Sequence, residues 1–111
     1  MPNCYRWSLD LLLHELEDCC ILGLQSFALF PAVNDQFKDR KASYSYNKEN
    51  FYLKAIHSIK KKFPNISLMS DVAMDPYSSD GHDGFVEDGQ ILNDKTLPIL
   101  AKMAIAQAQA G

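Results

Sequence analysis

Long apolar runs are missing from this chain. Nowhere do the ~18 consecutive apolar residues needed to cross a bilayer occur, so no membrane partner is expected. Cysteine is scarce: Cys4, Cys19 and Cys20 are the three, and none form a CxxC pair. Adjacent Cys19 and Cys20 cannot chelate zinc alone. An odd count argues against a secreted disulfide framework, so buried or partly buried free thiols in a reducing compartment are expected. Basic charge is thin too, with 11 Lys and Arg against 14 Asp and Glu and a net charge of -3. The one dense basic run, Lys60-Lys61-Lys62, reads as the last turn of a helix, where cations meet the negative end of the dipole. It is not read as a nucleic-acid arm. Met1 to Trp7 also lack the charged stretch leading into an apolar core that marks a secretory signal.

What is present suits a globular α/β protein. The 111 residues allow one domain at most, and 47% hydrophobic residues can furnish a small core. Leu9, Leu12, Leu13, Leu16, Cys19 and Cys20 recur at three- and four-residue steps, which predicts an amphipathic helix with Ser8 as N-cap and Gly23 as its stop. Ser26 to Phe30, ended by Pro31, reads as a strand buried on both faces. Residues 32–46 read as a polar surface loop. Asn47 is the expected cap of a second helix, whose stripe is Phe51, Tyr52, Ala55, Ile56 and Ile59 and which stops near Pro64. Residues 66–73 form a second strand, and 74–92 a long loop, a length usually tied to function or disorder. Asn93 or Asp94 opens a third helix, in which Pro98 fits only the first turn.

The order helix, strand, helix, strand, long loop, helix indicates an α/β architecture with parallel strands. Two parallel strands do not make a stable sheet; each needs neighbours and helices on both faces. The expectation is therefore a fragment of a larger α/β protein, most simply a (β/α)8 barrel of ~250 residues.

Chemistry concentrates at the end of the second strand. Ser70-Asp71-Val72-Ala73-Met74-Asp75-Pro76-Tyr77-Ser78-Ser79-Asp80-Gly81-His82-Asp83-Gly84 places four carboxylates and one imidazole directly after an apolar run. Barrel active sites gather where strands end. Asp71 stands there and could orient a protonated amine or a lysine from another strand, or could simply brace its own loop. Asp75 and Asp83 bracket a turn-rich segment whose proline and glycines could bring the two carboxylates together. Such oxygen ligands suit magnesium or manganese better than zinc. His82 is a proton carrier or an ordinary loop histidine. Tyr77 packs the loop, Ser79 and Asp80 form turns, and His14 and His57 lie on helix surfaces.

These residues resemble the porphobilinogen synthase family, also called delta-aminolevulinic acid dehydratase. Asp71 to Gly84 is close to the family's metal-loop motif. Met1 to Arg6, Ala28 to Pro31 and Asn93 to Thr96 are similar to neighbouring segments, so the likeness covers essentially the whole chain. The resemblance implies a (β/α)8 barrel, usually a homo-octamer, that condenses two 5-aminolevulinate molecules into porphobilinogen on the way to heme and chlorophyll. It implies two Schiff-base lysines on later strands, neither in this chain, so residues 1–111 would be a partial, inactive barrel domain without its N-terminal arm and first strand. Zinc-dependent members carry cysteines at the positions of Ala73, Asp75 and Asp83. Alanine and two aspartates here imply the magnesium type, and Ser78 to His82 resembles plant and algal members, hence a plastid. On this likeness Asp71 and Asp83 are catalytic, and Asp75 and Asp83 hold Mg2+. Asn3 replaces a family glycine and should be tolerated in a positive-φ turn. The competing readings are another metal-assisted barrel enzyme of aldolase type, for which no phosphate-gripping loop is present, and a free-standing cation-binding module.

Overall fold

Periodic leucines wind the first helix, α1 (Leu9–Ile21), which turns Leu16 fully inward. Ser8 stands at its N-cap, but its hydroxyl goes to the Asp10 carboxylate and not to a backbone amide. Gly23 ends α1 as expected. Its φ of +92° lets its N–H reach the Cys20 carbonyl at 2.9 Å while Leu24 N–H reaches Cys19 at 3.1 Å, a Schellman closure. The structure is a computed structural model and describes residue 2 and residues 4–111. The expected turn at Asn3 lies outside the described residues.

Strand β1 (Ser26–Leu29) pairs in parallel with β2 (Ser67–Ser70), with Ser26 opposite Ser67 and Leu29 opposite Ser70. The crossover between them carries two single-turn 3-10 helices (Asp35–Phe37 and Ser43–Tyr46) and helix α2 (Phe51–Lys62). The cap of α2 is Asn50, whose side chain accepts from Tyr52 N–H at 2.9 Å, and not Asn47. Asn47 instead accepts from Glu49 N–H at 2.8 Å and shapes the preceding turn. The three lysines close α2, and Lys60 also donates to the Pro64 and Ile66 carbonyls at 3.1 and 2.8 Å.

Two strand expectations need correction. β2 ends at Ser70, so Asp71 to Ala73 belong to the loop. Within this chain both strands alternate: Phe27, Leu29, Leu68 and Ser70 are half-buried, while Ser26, Ala28, Ser67 and Met69 are exposed. One sheet face is covered, not two.

The long loop contains a hairpin of β3 (Val86–Glu87) and β4 (Gln90–Ile91) that was not expected. Its turn is Asp88-Gly89, at φ +50° and +73°, the backbone required by the tightest hairpins. Helix α3 (Asn93–Ala110) follows and packs on α2 and on the Ser43–Tyr46 turn. Pro98 lies beyond its first turn; the proline is exposed, so water can reach the helix bond it forfeits. Cys19 and Cys20 are half-buried free thiols, whereas Cys4 is exposed, against expectation. No helix among the described residues is long and apolar enough to cross a membrane.

Candidate active site

Asp71 is the first residue past β2 and is exposed at the open end of the sheet, where strand-end chemistry was expected. Side chains from two helices hold the two strand ends. Gln107 of α3 is only 5% exposed; its Nε2 donates to the Asp71 carbonyl at 2.8 Å, and its Oε1 accepts from the Ser70 hydroxyl at 2.8 Å. Tyr52 of α2 is buried, and its hydroxyl donates to the Leu29 carbonyl at the end of β1, at 2.7 Å. Burial pushes the Tyr52 pKa up; a hydrogen bond from the Asp71 amide works against that rise, and the Asp71 charge adds to it. Both strand ends are thus tied to the helices beneath them.

Beyond Asp71 the chain dives inward. Ala73 and Met74 are buried, and Met74 N–H donates to Oδ1 of Asp83 at 2.5 Å. That bond closes the segment between them into a ring. Inside it, the amides of Tyr77 and Ser78 both reach the Met74 carbonyl, at 2.9 and 2.8 Å. Tyr77 packs the loop from within, as expected. It is 1% exposed, and Asn50 Nδ2 donates to its hydroxyl at 3.4 Å. Burial pushes its pKa up to about 12, so the phenol stays protonated at neutral pH.

A second loop braces this ring. Asp39 N–H donates to the Tyr77 carbonyl and Ser79 N–H to the Asp39 carbonyl, each at 3.2 Å, a parallel bridge between residues 39 and 78. The Asp39 carboxylate accepts from Lys41 N–H at 2.8 Å, Ser43 N–H at 3.1 Å and the Ser43 hydroxyl. Burial alone would raise its pKa, but the Ser43 and Lys41 hydrogen bonds outweigh it and hold the carboxyl below its ordinary value. Arg40 reaches the Asp80 carboxylate at 3.3 Å and donates to the Val86 carbonyl, with its guanidinium 5.7 Å from the centre of the Phe85 ring. Gly84 permits the close approach of the hairpin: a Cβ there would stand 2.5 Å from Ile91 Cγ2.

The expected residues therefore fall into separate roles. Asp83 meets the peptide next to Asp75, while Asp75 itself is exposed. His82, His14 and His57 are exposed. Among the described residues, no group of three or more His, Cys, Asp or Glu is placed to hold a metal ion. With alanine and aspartates at 73, 75 and 83 there is no thiolate here for zinc. Carboxylate oxygens are the donor type that magnesium takes, but the two carboxylates are not gathered into a cage built from protein. Sequence reasoning missed Asp39, Arg40, Asn50, Tyr52 as a strand tether, and Gln107. The signal for Gln107 was available: it continues the four-residue step of buried Ile99 and Met103.

Comparison with known proteins agrees with this geometry. The family model described as "Delta-aminolevulinic acid dehydratase" matches residues 1–111. A delta-aminolevulinic acid dehydratase of Chlamydia pneumoniae is 45% identical over 111 residues, covering all of this chain and 33% of that protein. The chloroplastic enzyme of Oryza sativa subsp. japonica is 47% identical over 114 residues, covering 26% of its length. A crystal structure of the Toxoplasma gondii ME49 enzyme, in complex with the reaction product porphobilinogen, superimposes with a TM-score of 0.97 at 44% identity. All of this chain and 32% of that one are covered. The chain spans about a third or less of the length of these relatives. Its α/β elements are those of part of a (β/α)8 barrel.

Proposed function

The chain belongs to the delta-aminolevulinic acid dehydratase family, and from that premise we propose that the complete protein condenses two 5-aminolevulinate molecules into porphobilinogen with loss of two waters. The observation that carries this reading is the match over the whole chain to a structure bound to porphobilinogen. The same match leaves the aldolase and cation-module readings without support. In the proposed reaction this chain supplies part of the barrel mouth, and Schiff-base lysines elsewhere in the protein supply the electron sink. Asp71 is placed to orient an ammonium group or a neighbouring lysine through its charge. Asp83 closes its loop through the Met74 amide, and the residue is otherwise exposed. The test is direct: porphobilinogen should accumulate when the complete protein is given 5-aminolevulinate. No product from folded protein would refute the reading, and product from residues 1–111 alone would refute the placing of the lysines.

Magnesium is the proposed cofactor, with the exposed Asp75 and Asp83 as its ligands. When bound it supplies positive charge beside the substrate. Chelated protein should regain turnover with magnesium; recovery with zinc alone would overturn this assignment. A homo-octamer is proposed for the complete protein, to be checked by light scattering coupled to gel filtration. A plastid location is supported by the chloroplastic Oryza sativa relative, although the Chlamydia pneumoniae enzyme is nearly as similar. Fractionation of the source cell decides it.

A further inference from the structure

We infer that Gln107 is a positioning residue for Asp71: its buried carboxamide fixes the peptide that carries the Asp71 carboxylate at the strand mouth. The catalytic meaning of this inference rests on the function proposed above; the geometry does not.

Gln107 stands where packing alone would ask for an apolar residue. It follows Ile99 and Met103 on the inward stripe of α3 and is 5% exposed. A buried carboxamide is tolerated only if both of its ends are satisfied. Here both ends go to consecutive residues of one strand terminus, Oε1 to Ser70 and Nε2 to Asp71, each at 2.8 Å. One side-chain orientation meets both demands, so α3 is held at one height against the end of β2. Beside it, Tyr52 bonds the Leu29 carbonyl, directly across the parallel register from Ser70. The two helices, packed against each other, thus each contribute a buried polar side chain to the same pair of strand ends. The Asp71 side chain is exposed, so the direction of its carboxylate is set chiefly by the peptide that Gln107 holds, while Tyr52 fixes the neighbouring strand end at Leu29.

The test uses the complete protein with Gln107→Leu, which keeps the bulk and removes both bonds. kcat should fall about 10- to 100-fold with KM within about threefold, because displacing a reacting group by about an ångström costs rate more than binding. Amide exchange at Asp71 and Val72 should accelerate about tenfold while the amides of Ile99 to Met103 stay protected. Gln107→Glu keeps the Ser70 contact and loses the donation to Asp71, so it carries the same test should the leucine variant not fold. An unchanged kcat, or a loss that merely tracks the folded fraction, would overturn the positioning role. Uniformly faster exchange along α3 would overturn it too. The local exchange response in a protein whose wild type makes no porphobilinogen would support the tether and refute the proposed reaction instead.

Discussion

Two apolar clusters divide the molecule, and they are assembled by different means. One gathers Leu16, Ile59 and Ile66 with Leu12, Phe27, Leu29 and Leu68, all on or beside regular elements. The other gathers Ala42, Met74, Tyr77, Phe85, Ile99 and Met103, four of them from loops. In the first, helix and strand periodicity brings apolar faces together and most backbone bonds lie within the elements, side chains serving only their ends, as Tyr52 does at Leu29 and Lys60 at Ile66. In the second, loop backbone is buried and must find partners one group at a time: Asp83 for Met74, Asn50 for Ser45, Thr96 for Phe85. Periodic structure yields a scaffold; side-chain bonds to backbone yield a shaped mouth on top of it.

The sharpest way to break this contrast is Tyr77→Ala. Removing a ring that is 1% exposed should cost about 3–5 kcal/mol, the usual range for a fully buried aromatic. The loss should be local. Amides of residues 74–85 should lose exchange protection while those of α1 and β2 keep theirs. Equal loss in both clusters would mean they form one cooperative unit, and the division above would fall.

Asp83→Ala tests the mouth without its core. The carboxylate is exposed and its contact is one amide, so the barrel should stay folded. On the function proposed above, turnover of 5-aminolevulinate by the complete protein should drop roughly 100-fold with the ring open. Unchanged steady-state turnover would remove Asp83 from the mechanism.

The same division explains what could be read from the chain. α1, β1, α2, β2 and α3 follow from apolar spacing, and each was legible to within a few residues. The Asp88-Gly89 pair is a strong short-range hairpin cue, but its flanking strands are two residues each, too short to show the alternation that marks a strand. Asn50 was passed over for Asn47 because both can cap, and only packing against Ser45 and Tyr77 selects between them. Asp71, Asp75 and Asp83 could be picked out from residue type and strand position. Their differing environments could not, because Asp83 meets Met74 through a fold of the chain that no periodicity records. Arg40 and the backbone bridge of Asp39 were invisible for a further reason: their partners, Asp80 and Val86 for the one and Tyr77 and Ser79 for the other, lie in a loop read separately.

Asp39→Ala should produce a smaller effect, and one that depends on pH. The carboxylate caps its own turn through Lys41 and Ser43, a role whose loss typically costs about 1 kcal/mol. Its carboxyl is held below the ordinary value in the folded protein. The charged form is therefore the one the fold favours. Its contribution is complete above the unfolded pKa, roughly 3.9, and vanishes as pH falls through the lower folded value. Wild type and variant should differ in denaturant midpoint at neutral pH and converge in strong acid. A difference that persists undiminished there would show that packing, not charge, carries the role.

The smallest effect belongs to the scaffold side. Glu17 of α1 and Lys62 of α2 form an ion pair at 2.9 Å, close by any geometric standard. Both ends are in water, with side chains 50% and 36% exposed, so desolvation does not strengthen the attraction and two flexible chains must be ordered to make it. The helices it joins are already held by Leu16 and Ile59, both buried. Glu17→Gln should leave the melting temperature unchanged within error, with and without added salt. Arg40 is the instructive contrast, because its guanidinium also serves the Val86 carbonyl and lies over Phe85. Arg40→Gln should therefore lower the melting temperature where Glu17→Gln does not. The reverse order would mean that charge, and not periodic packing, holds the helices together, and that the two halves of the molecule are built alike.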